Sequence, residues 1–348
     1  MSFYTLLTGL PTSKYKPVPI LPDDGPMFQR LKGEGYSPQI VPFKKLDRYF
    51  AVSKVKKIIQ KFDISGVYLS CAHKYTRMAS KAAYAKNIEI IWHVREPPLG
   101  HRVQKSIKYM TRYNAHVVVV SKEQEDALLP RLPVQKVDNG VDIERFDAAL
   151  DGASFRDKYG VAKGDIVFSL IGTVEKRKGT EPFLLAAERI AQQYENASFM
   201  VIGSDGSEYA DRMKKLVEHS SFLHGRVHFT GNVWNVPEAM AASHVVVMYS
   251  TWEAFPRVVI ESMAMKKMVI ASEVGDVPYM IEHEHEGLVV SKGDDEALYE
   301  CLNRVMLEPS MAEGMAEKAY KKALACYTQE VHVSAMEKIF DHAFLHKS

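Results

Sequence analysis

The chain has 348 residues, enough for about two domains, and its apolar and charged fractions of 46% and 25% are typical of globular proteins. Three widely spaced cysteines, Cys71, Cys301 and Cys326, show no metal or disulfide spacing, which favours a reducing, cytosolic compartment. The first residues lack the basic segment of a signal peptide, and no apolar run reaches the roughly 18 residues of a membrane-spanning helix.

The net charge of +2 conceals a difference between the two parts of the chain. Residues 1–140 contain 23 Lys and Arg against 11 Asp and Glu, a net charge of +12, and the remainder contains 22 against 32, a net charge of −10. This asymmetry predicts two domains with different partners. A basic part favours phosphate, nucleic acid or a membrane surface, and a solvated lysine-rich surface is the alternative.

Short segments rich in Val and Ile alternate with amphipathic helical segments. Because most of these segments are continuously apolar, they predict strands buried on both faces of parallel sheets. The predicted strands are 17–22, 38–43, 66–70, 88–94, 115–121, 165–172, 197–203, 226–231, 244–250, 267–272 and 287–291. The predicted helices include 47–62, 76–86, 104–113, 180–195, 207–220 and 235–242. The fold class is therefore α/β with doubly wound sheets.

Eleven strands are too many for one ordinary sheet of this class, and a polar stretch at 147–165 precedes a new strand. We place the domain boundary within 139–165, with one domain at 1–142 and the other at 143–330. Two such domains facing each other would form a cleft. Ligands of open α/β sheets bind at the carboxyl ends of the strands, so loops that follow strands are the candidate sites.

A first candidate loop follows strand 165–172 and carries Lys176, Arg177 and Lys178 before a helix that begins near Thr180. Cations beside a helix N-terminus can bind phosphate, because fixed charge adds to unpaired backbone N–H groups. A solvated basic loop is the competing interpretation. Near the end of a strand in the basic part, the sequence HVRE places His93, Arg95 and Glu96, a cluster expected to face the cleft.

A second candidate loop is TWEAFPRVVIESMA at 251–264, after strand 244–250. Pro256 suits the first helical position, which would leave the N–H groups of Arg257, Val258 and Val259 free to face an anion. Glu253 lies in the loop and Glu261 lies about a turn and a half into the helix. The two glutamates therefore predict separate tasks rather than one acid–base pair, although this spacing also occurs by chance.

These motifs together resemble the retaining nucleotide-sugar glycosyltransferases of family four, the group 1 glycosyltransferases. The resemblance covers roughly 20–310 and rests on HVRE, VVVVS, NGVDIERF, GTVEKRKG, FTGNVWNVPEAMAAS, SxxEAFPRVVIESMA, VIASEVGDVPYMI and EGLVVSKGD. It implies the GT-B architecture, in which two Rossmann-like domains flank the active site. The N-terminal domain would bind the acceptor and the C-terminal domain the nucleotide sugar. The final segment, 331–348, with the last helix at 331–344, would return to the N-terminal domain.

The resemblance also implies roles for individual residues. Glu261 would hold the ribose hydroxyls, and Glu253 would contact the donor sugar near the reacting centre. Lys178, helped by Arg177 or Lys176, would neutralise the leaving diphosphate. His93 would face the donor sugar, Arg95 would contact substrate, and Asn232 and Val233 would lie by the base. The backbone around the start of the helix would contact sugar hydroxyls and the diphosphate, through Phe255, Pro256, Arg257, Val258 and Val259.

The sequence departs from the family pattern at two places. Thr173 stands where the family has an arginine, and Arg177 is expected to substitute. The family's N-terminal strand and glycine-rich loop have no counterpart, so the N-terminal sheet is expected to begin one strand short. Three interpretations of this departure stay open: a shortened variant, an incomplete start, or a partner subunit that supplies the element.

The predicted activity is transfer of a hexose from a UDP- or GDP-sugar to a glycan or glycolipid, without a metal or a tightly bound cofactor. The sequence has no Asp-x-Asp or His/Cys cluster to hold a metal. A nucleotide-sugar epimerase or hydrolase of the same fold and a non-catalytic nucleotide-sugar-binding subunit are the alternatives. In helix 47–62, the apolar side chains are expected to pack inside the domain, and the lysines are expected to attract an anionic acceptor or the inner face of a membrane. These apolar side chains are Phe50, Val55, Ile58, Ile59 and Phe62. Nucleic acid is not expected, because no recognition motif accompanies the charge.

Overall fold

The computed structural model describes residues 2–42 and 48–344, which divide into two compact units, Met1–Asn139 with Glu330–Ser348, and Gly140–Gln329. Phe43, the end of one predicted strand, and Asp47, the start of one predicted helix, lie outside the described residues. No described helix is both long enough and apolar enough to cross a membrane.

The described residues of the first unit form two parallel sheets. The strands β1 (Ile20–Leu21) and β2 (Gln39–Ile40) pair with each other, and β3 (Gly66–Leu69), β4 (Glu89–Val94), β5 (His116–Val119) and β6 (Val134–Lys136) form a four-stranded sheet in that order. The helices that precede or separate these strands are α1 (Ser2–Gly9), α2 (Pro26–Gly33), α3 (Arg48–Lys61), α4 (Lys74–Tyr84), α5 (His101–Arg112) and α6 (Lys122–Leu128).

Strand β6 was not predicted, because its sequence Val-Gln-Lys is short and polar and is half-buried or exposed rather than buried. Strands β1 and β2 are much shorter than the predicted segments 17–22 and 38–43. Among the described residues, no strand precedes Ile20.

The second unit contains one six-stranded parallel sheet. Its strands are β7 (Ile166–Ile171), β8 (Ala197–Ile202), β9 (Val227–Gly231), β10 (Val245–Met248), β11 (Met268–Ser272) and β12 (Leu288–Val290), in the order β12-β11-β10-β7-β8-β9. Its helices are α7 (Ala153–Tyr159), α8 (Thr180–Gln193), α9 (Glu208–His219), α10 (Val236–Ala241), α11 (Arg257–Ala264), α12 (Val277–Met280), α13 (Asp295–Leu307) and α14 (Pro309–Cys326). A 3₁₀ turn, Lys176–Lys178, follows β7.

The last helix, α15 (Gln329–Phe344), packs on the four-stranded sheet of the first unit. Its buried residues Val333, Met336 and Phe340 contact the same cluster as Ile91 of β4 and Val118 of β5. The next residue of β4, Trp92, lies in the cluster formed with α3 and α4 on the opposite face. Because successive strand side chains point to opposite faces, the sheet is buried on both sides, as its continuously apolar strands predicted.

Candidate active site

The sheet of the second unit reverses its strand order between β7 and β10. From β7 the chain moves outward through β8 and β9, then returns to add β10 on the other side of β7. In open α/β sheets, ligands bind outside the carboxyl ends of the strands at such a switch point. The loops that carry the predicted phosphate and sugar groups follow β7 and β10, which are direct neighbours in the sheet.

The two loops are tied together through their backbones. The N–H of Thr251 donates to the carbonyl of Arg177 at 2.8 Å. Gly179, which ends the 3₁₀ turn, has a φ of +73°, and a Cβ there would overlap the carbonyl oxygen of Tyr249. Only glycine fits this position, because the positive φ is unfavourable for other residues and there is no room for a Cβ. This close approach holds Lys176–Lys178 beside the loop that follows β10.

Glu253 is the centre of a charged cluster at the switch point. Its Oε1 accepts hydrogen bonds from Lys178 Nζ at 2.6 Å, Arg177 Nη1 at 3.0 Å and Ser250 Oγ at 3.0 Å. The Glu253 side chain is only 14% exposed. Two cations thus converge on one carboxylate oxygen, where limited contact with water strengthens their interaction.

Arg177 has further partners that fix its orientation. It donates to the carbonyl of Trp252 at 2.9 Å and to Glu175 at 2.8 Å. The sequence predicted different ligand groups for Glu253 and the two cations, yet their side chains are in direct contact. Ser250 was not predicted, although it lies three positions before Glu253 at the start of the SxxE motif.

The helix start after Glu253 differs from the prediction in two details. Pro256 is the cap residue, with φ −70° and ψ 103°, and the helix begins one residue later at Arg257. The N–H of Val259 donates to the carbonyl of Pro256 at 3.1 Å, so the prediction that this N–H is free was wrong. Phe255 is buried and packs edge-to-face with Tyr327 at 6.0 Å between ring centroids. Val258 is half-buried.

Glu261 is paired along its own helix. Arg257 Nε and Nη2 each lie 3.1 Å from Glu261 Oε1, and Arg257 Nη1 donates to the carbonyl of Gly140 at 2.9 Å. The side chains of Arg257 and Glu261 are only 17% and 12% exposed. A carboxylate fixed in this way can accept hydrogen bonds from a diol without first ordering its own side chain.

A glycine that the prediction did not single out supports the backbone of Glu253. Gly275, in the loop after β11, has a φ of +54°, and a Cβ there would overlap the carbonyl oxygens of Glu253 and Ala254. The neighbouring N–H of Asp276 donates to the carbonyl of Ala254 at 3.0 Å. The loop after a third strand therefore determines where Glu253 lies.

The other predicted residues of this unit lie at nearby strand ends. Thr173 and Lys176 are exposed just after β7. Asn232 is exposed directly after β9, and Val233 is half-buried against the apolar cluster that contains Met200. Strand β9 is at the edge of the sheet, two strands away from β7. No described contact joins Asn232 or Val233 to the cluster around Glu253.

The first unit brings His93 and Arg95 together at the end of β4. Arg95 Nη2 lies 3.3 Å from His93 Nδ1, and Arg95 Nη1 donates to Asn139 Oδ1. Tyr68, which was not predicted, has its hydroxyl 2.7 Å from the same His93 nitrogen. Glu96 accepts from the N–H of Ala72 at 2.7 Å and has a structural role in this loop. His93 is fully buried, and its contact with a sugar remains a prediction.

One group of described side chains has the composition of a metal site. Carboxylate and imidazole atoms of Glu282, His285 and Glu286 lie within 4.8 Å of one another. Glu286 also accepts from the N–H of Glu282 at 2.7 Å and pairs with Lys322 at 3.3 Å. The ammonium group of Lys322 therefore already pairs with the Glu286 carboxylate, and this ion pair needs no metal.

A protein-family model matches most of the second unit. The family model described as "Glycosyl transferases group 1" matches residues 152–322. The N-acetyl-alpha-D-glucosaminyl L-malate synthase of Bacillus anthracis is 23% identical over 299 residues, which span 83% of this chain and 77% of that enzyme. A galactosyltransferase of Escherichia coli that acts on α-D-GlcNAc-diphosphoundecaprenol is 25% identical over 177 residues, only 50% of this chain and 45% of that protein.

Solved structures share the whole fold. The Anabaena protein Alr3699/HepE, in complex with UDP and glucose, has a TM-score of 0.85 at 18% identity over 98% of this chain and 95% of its own. A glycosyltransferase from Rickettsia africae has a TM-score of 0.88 at 18% identity, covering 100% and 95% of the two chains. At these identities, the likeness shows a common GT-B fold with two Rossmann-like domains.

Proposed function

We propose that the chain is a group 1 glycosyltransferase that transfers a hexose, with retention of configuration, from a nucleotide diphosphate sugar to a glycan or lipid-linked acceptor. The observation that carries this proposal is the contact of Lys178 and Arg177 with Glu253 at the β7–β10 switch point. A nucleotide sugar needs cations for its diphosphate and a carboxylate for its sugar at neighbouring positions, and these loops offer both.

The chemistry follows from where charge develops during transfer. Breaking the bond between the sugar and the diphosphate places negative charge on the leaving oxygen, and fixed cations stabilise it without reorganisation. Lys178 and Arg177 have that role in the proposal. Positive charge develops on the sugar, where Glu253 stabilises it. The N-terminus of α11 is the positive end of the helix dipole and would also stabilise the leaving diphosphate.

We assign the ribose to Glu261, whose carboxylate is fixed by Arg257. Asn232 and Val233 are assigned to the base. The unit Gly140–Gln329 then binds the nucleotide sugar, and the unit containing His93 and Arg95 binds the acceptor. The HepE structures hold UDP or UDP-glucose, so UDP-sugars come first in the panel of substrates, followed by GDP-sugars.

We also propose that transfer requires no metal. Lys178 and Arg177 supply positive charge at the assigned diphosphate position, and Glu253 already accepts hydrogen bonds from both. Transfer should therefore proceed unchanged with EDTA. Loss of activity with EDTA and its recovery with Mg²⁺ or Mn²⁺ would contradict this part of the proposal.

The decisive experiment measures binding and turnover with UDP- and GDP-linked glucose, galactose, mannose and N-acetylglucosamine. We expect calorimetric binding of one donor and release of its nucleoside diphosphate that depends on an added glycan or lipid-linked acceptor. The anomeric configuration of the product, measured by NMR, tests retention. Equal turnover without acceptor would favour an epimerase or hydrolase, and turnover only with a second glycosyltransferase would favour a non-catalytic subunit.

A lipid-linked acceptor requires contact with a membrane, which we propose occurs at the cytoplasmic face through the basic helices of the first unit. Helices α3, α4 and α5 contain twelve Lys and Arg residues and no Asp or Glu. The apolar residues Val55, Ile58 and Ile59 of α3 pack inside, whereas Phe50 is 76% exposed, contrary to the prediction that it packs with them. The exposed face of α5 combines Lys105 and Lys108 with Tyr109.

This contact can be tested with vesicles. Flotation with vesicles that contain phosphatidylglycerol should recover the protein, and the double variant Lys105→Glu/Lys108→Glu should bind at least about tenfold more weakly, since each surface cation contributes about 1 kcal/mol. The control Lys318→Glu/Lys321→Glu changes equal charge on α14 of the second unit. Equal binding to neutral phosphatidylcholine vesicles, or equal loss in both variants, would argue against a specific surface.

A further inference from the structure

The imidazole of His93 lies in a polar network inside the first unit. His93 is 0% exposed on β4, and its Nδ1 lies 2.7 Å from the hydroxyl of Tyr68 on β3. The same nitrogen lies 3.3 Å from Arg95 Nη2. Arg95 Nη2 is also 3.4 Å from the Tyr68 hydroxyl, so three polar groups meet at one point.

The chemistry of these groups determines where the imidazole proton lies. An arginine guanidinium offers only N–H donors, and a neutral imidazole has one donor and one acceptor nitrogen. A proton on His93 Nδ1 would be donated to the Tyr68 oxygen, and the Tyr68 hydroxyl would then have no acceptor among the described residues for its own proton. The consistent arrangement has Arg95 donating to the Tyr68 oxygen and Tyr68 donating to the lone pair of Nδ1, with Arg95 Nη2 beside it at 3.3 Å. The ring proton of His93 is then on Nε2.

The imidazolium form is disfavoured by the same surroundings. Burial, the adjacent Arg95 cation and His332 of α15 together hold the pKa of His93 well below its usual value. Arg95 is itself fixed through Asn139, and the Nδ1 of His332 lies 2.6 Å from the carbonyl of Asp138. Within the described part of the chain, the groups around the ring offer no carboxylate that would stabilise a positive charge.

The Nε2 atom of His93 is buried and has no hydrogen-bond partner among the described residues. Unsatisfied buried donors are rare in folded proteins because each loses its hydrogen bonds to water. We infer that Tyr68 and Arg95 hold His93 in the neutral Nε2–H form and that this N–H donates to an acceptor oxygen of the bound substrate. Tyr68 and Arg95 are thus positioning residues for His93.

The contact of this N–H with a substrate oxygen rests on the proposed function, whereas the tautomer does not. In this form, His93 orients substrate and does not exchange protons with it during turnover. Its contribution is therefore independent of pH over the range in which an ordinary histidine titrates. That behaviour distinguishes it from a general acid or base.

Nitrogen-15 NMR of the histidine-labelled full chain tests the tautomer directly. The signals of His93, assigned with His93→Gln, should show a protonated Nε2 and a bare Nδ1 that do not change between pH 5.5 and 8.5. Arg95→Met should permit a mixture of tautomers and titration at higher pH, whereas Arg95→Lys should restore the wild-type pattern. A protonated Nδ1 in the wild type, or titration near pH 6.5, would overturn the inference.

Turnover provides a second readout with matched variants. His93→Gln places an amide N–H near the position of Nε2 and should retain most activity, whereas His93→Asn should lose about tenfold or more in kcat/KM. Tyr68→Phe keeps the ring that packs 5.9 Å from Phe340 and should lose activity only in part. Arg95→Met should introduce an acidic limb in the pH profile. Equal losses in Gln and Asn variants would contradict donation from Nε2.

The two proposals fail in different ways. If no nucleotide sugar is turned over but the His93 signals show the locked tautomer, the proposed function fails and the tautomer stands. If transfer is found but His93 titrates normally, only the inference about Tyr68 and Arg95 fails.

Discussion

The Nζ of Lys178 lies 2.6 Å from Oε1 of Glu253, although the two residues are 75 positions apart in the chain. The contact exists because β7 and β10 are neighbours in the sheet and their following loops meet at the switch point. One carboxylate oxygen therefore holds in position the cation assigned to the diphosphate. Removing the carboxylate charge should affect the sugar and the diphosphate together.

We expect Glu253→Gln to lower kcat/KM for transfer by about 100-fold or more, because the variant keeps the shape of the side chain but loses its negative charge. The measurement is acceptor-dependent release of nucleoside diphosphate, with thermal unfolding as a check on the fold. Glu175→Gln is the matched control, since Glu175 pairs with Arg177 at 2.8 Å on the exposed side of the cluster. Wild-type activity in Glu253→Gln would remove Glu253 from the site.

We expect Glu261→Ala to weaken binding of ribonucleotides by about tenfold or more, because a charged acceptor of the ribose hydroxyls is lost. Calorimetry with UDP and 2′-deoxy-UDP separates this effect from a general loss: the wild type should prefer the ribonucleotide, and Glu261→Ala should not. Arg257→Met should keep that preference, since the carboxylate remains. An unchanged preference in Glu261→Ala would exclude contact with the ribose 2′-hydroxyl.

We expect Gly275→Ala to destabilise the protein by about 1–3 kcal/mol more than Gly293→Ala, because its methyl group would displace the backbone of Glu253. Both glycines have positive φ, +54° and +81°, but a Cβ at Gly293 would meet nothing within 4 Å. Alanine at either position would be strained by the positive φ, but only at Gly275 would its Cβ overlap backbone atoms. Urea unfolding measures the difference, and turnover should fall in Gly275→Ala alone. Equal destabilisation would show that the loop accommodates a side chain.

We expect a half-buried lysine to make stability rise at alkaline pH. Burial, with a contribution from Arg156, lowers the pKa of Lys267 to about 8, and its Nζ donates to the carbonyl of Ala241 at 2.9 Å. Because the unfolded chain holds this proton up to about pH 10.5, the folded state loses it first and gains about 2 kcal/mol between pH 7 and pH 9.5.

The pH dependence can be assigned by comparing variants. The difference in unfolding free energy between wild type and Lys267→Met should change by about 2 kcal/mol in favour of wild type over that range. The difference for Lys266→Met should not change in that direction, because hydrogen bonding to Glu317 raises the pKa of Lys266. A constant difference for Lys267→Met would mean that the folded protein keeps this proton.

The sequence by itself determined the α/β class, all eleven predicted strands and the residue types of the site. Continuous Val- and Ile-rich segments can be predicted as strands, because a strand covered on both faces must be apolar throughout. Strand β6 could not be predicted, because it lies at the edge of the sheet, where polar residues are tolerated. The start of α11 was predicted to within one residue, since Pro256 ends the preceding extended segment.

Only the tertiary structure decided which side chains meet. The pairing of Lys178 with Glu253, the support of Glu253 by Gly275 and the network of Tyr68, His93 and Arg95 each join loops or strands that are neighbours in a sheet. A parallel sheet brings together segments separated by a whole helix, so sequence spacing contains no record of these distances. Local patterns determined the elements and the chemical groups, whereas strand order determined which of these groups are in contact.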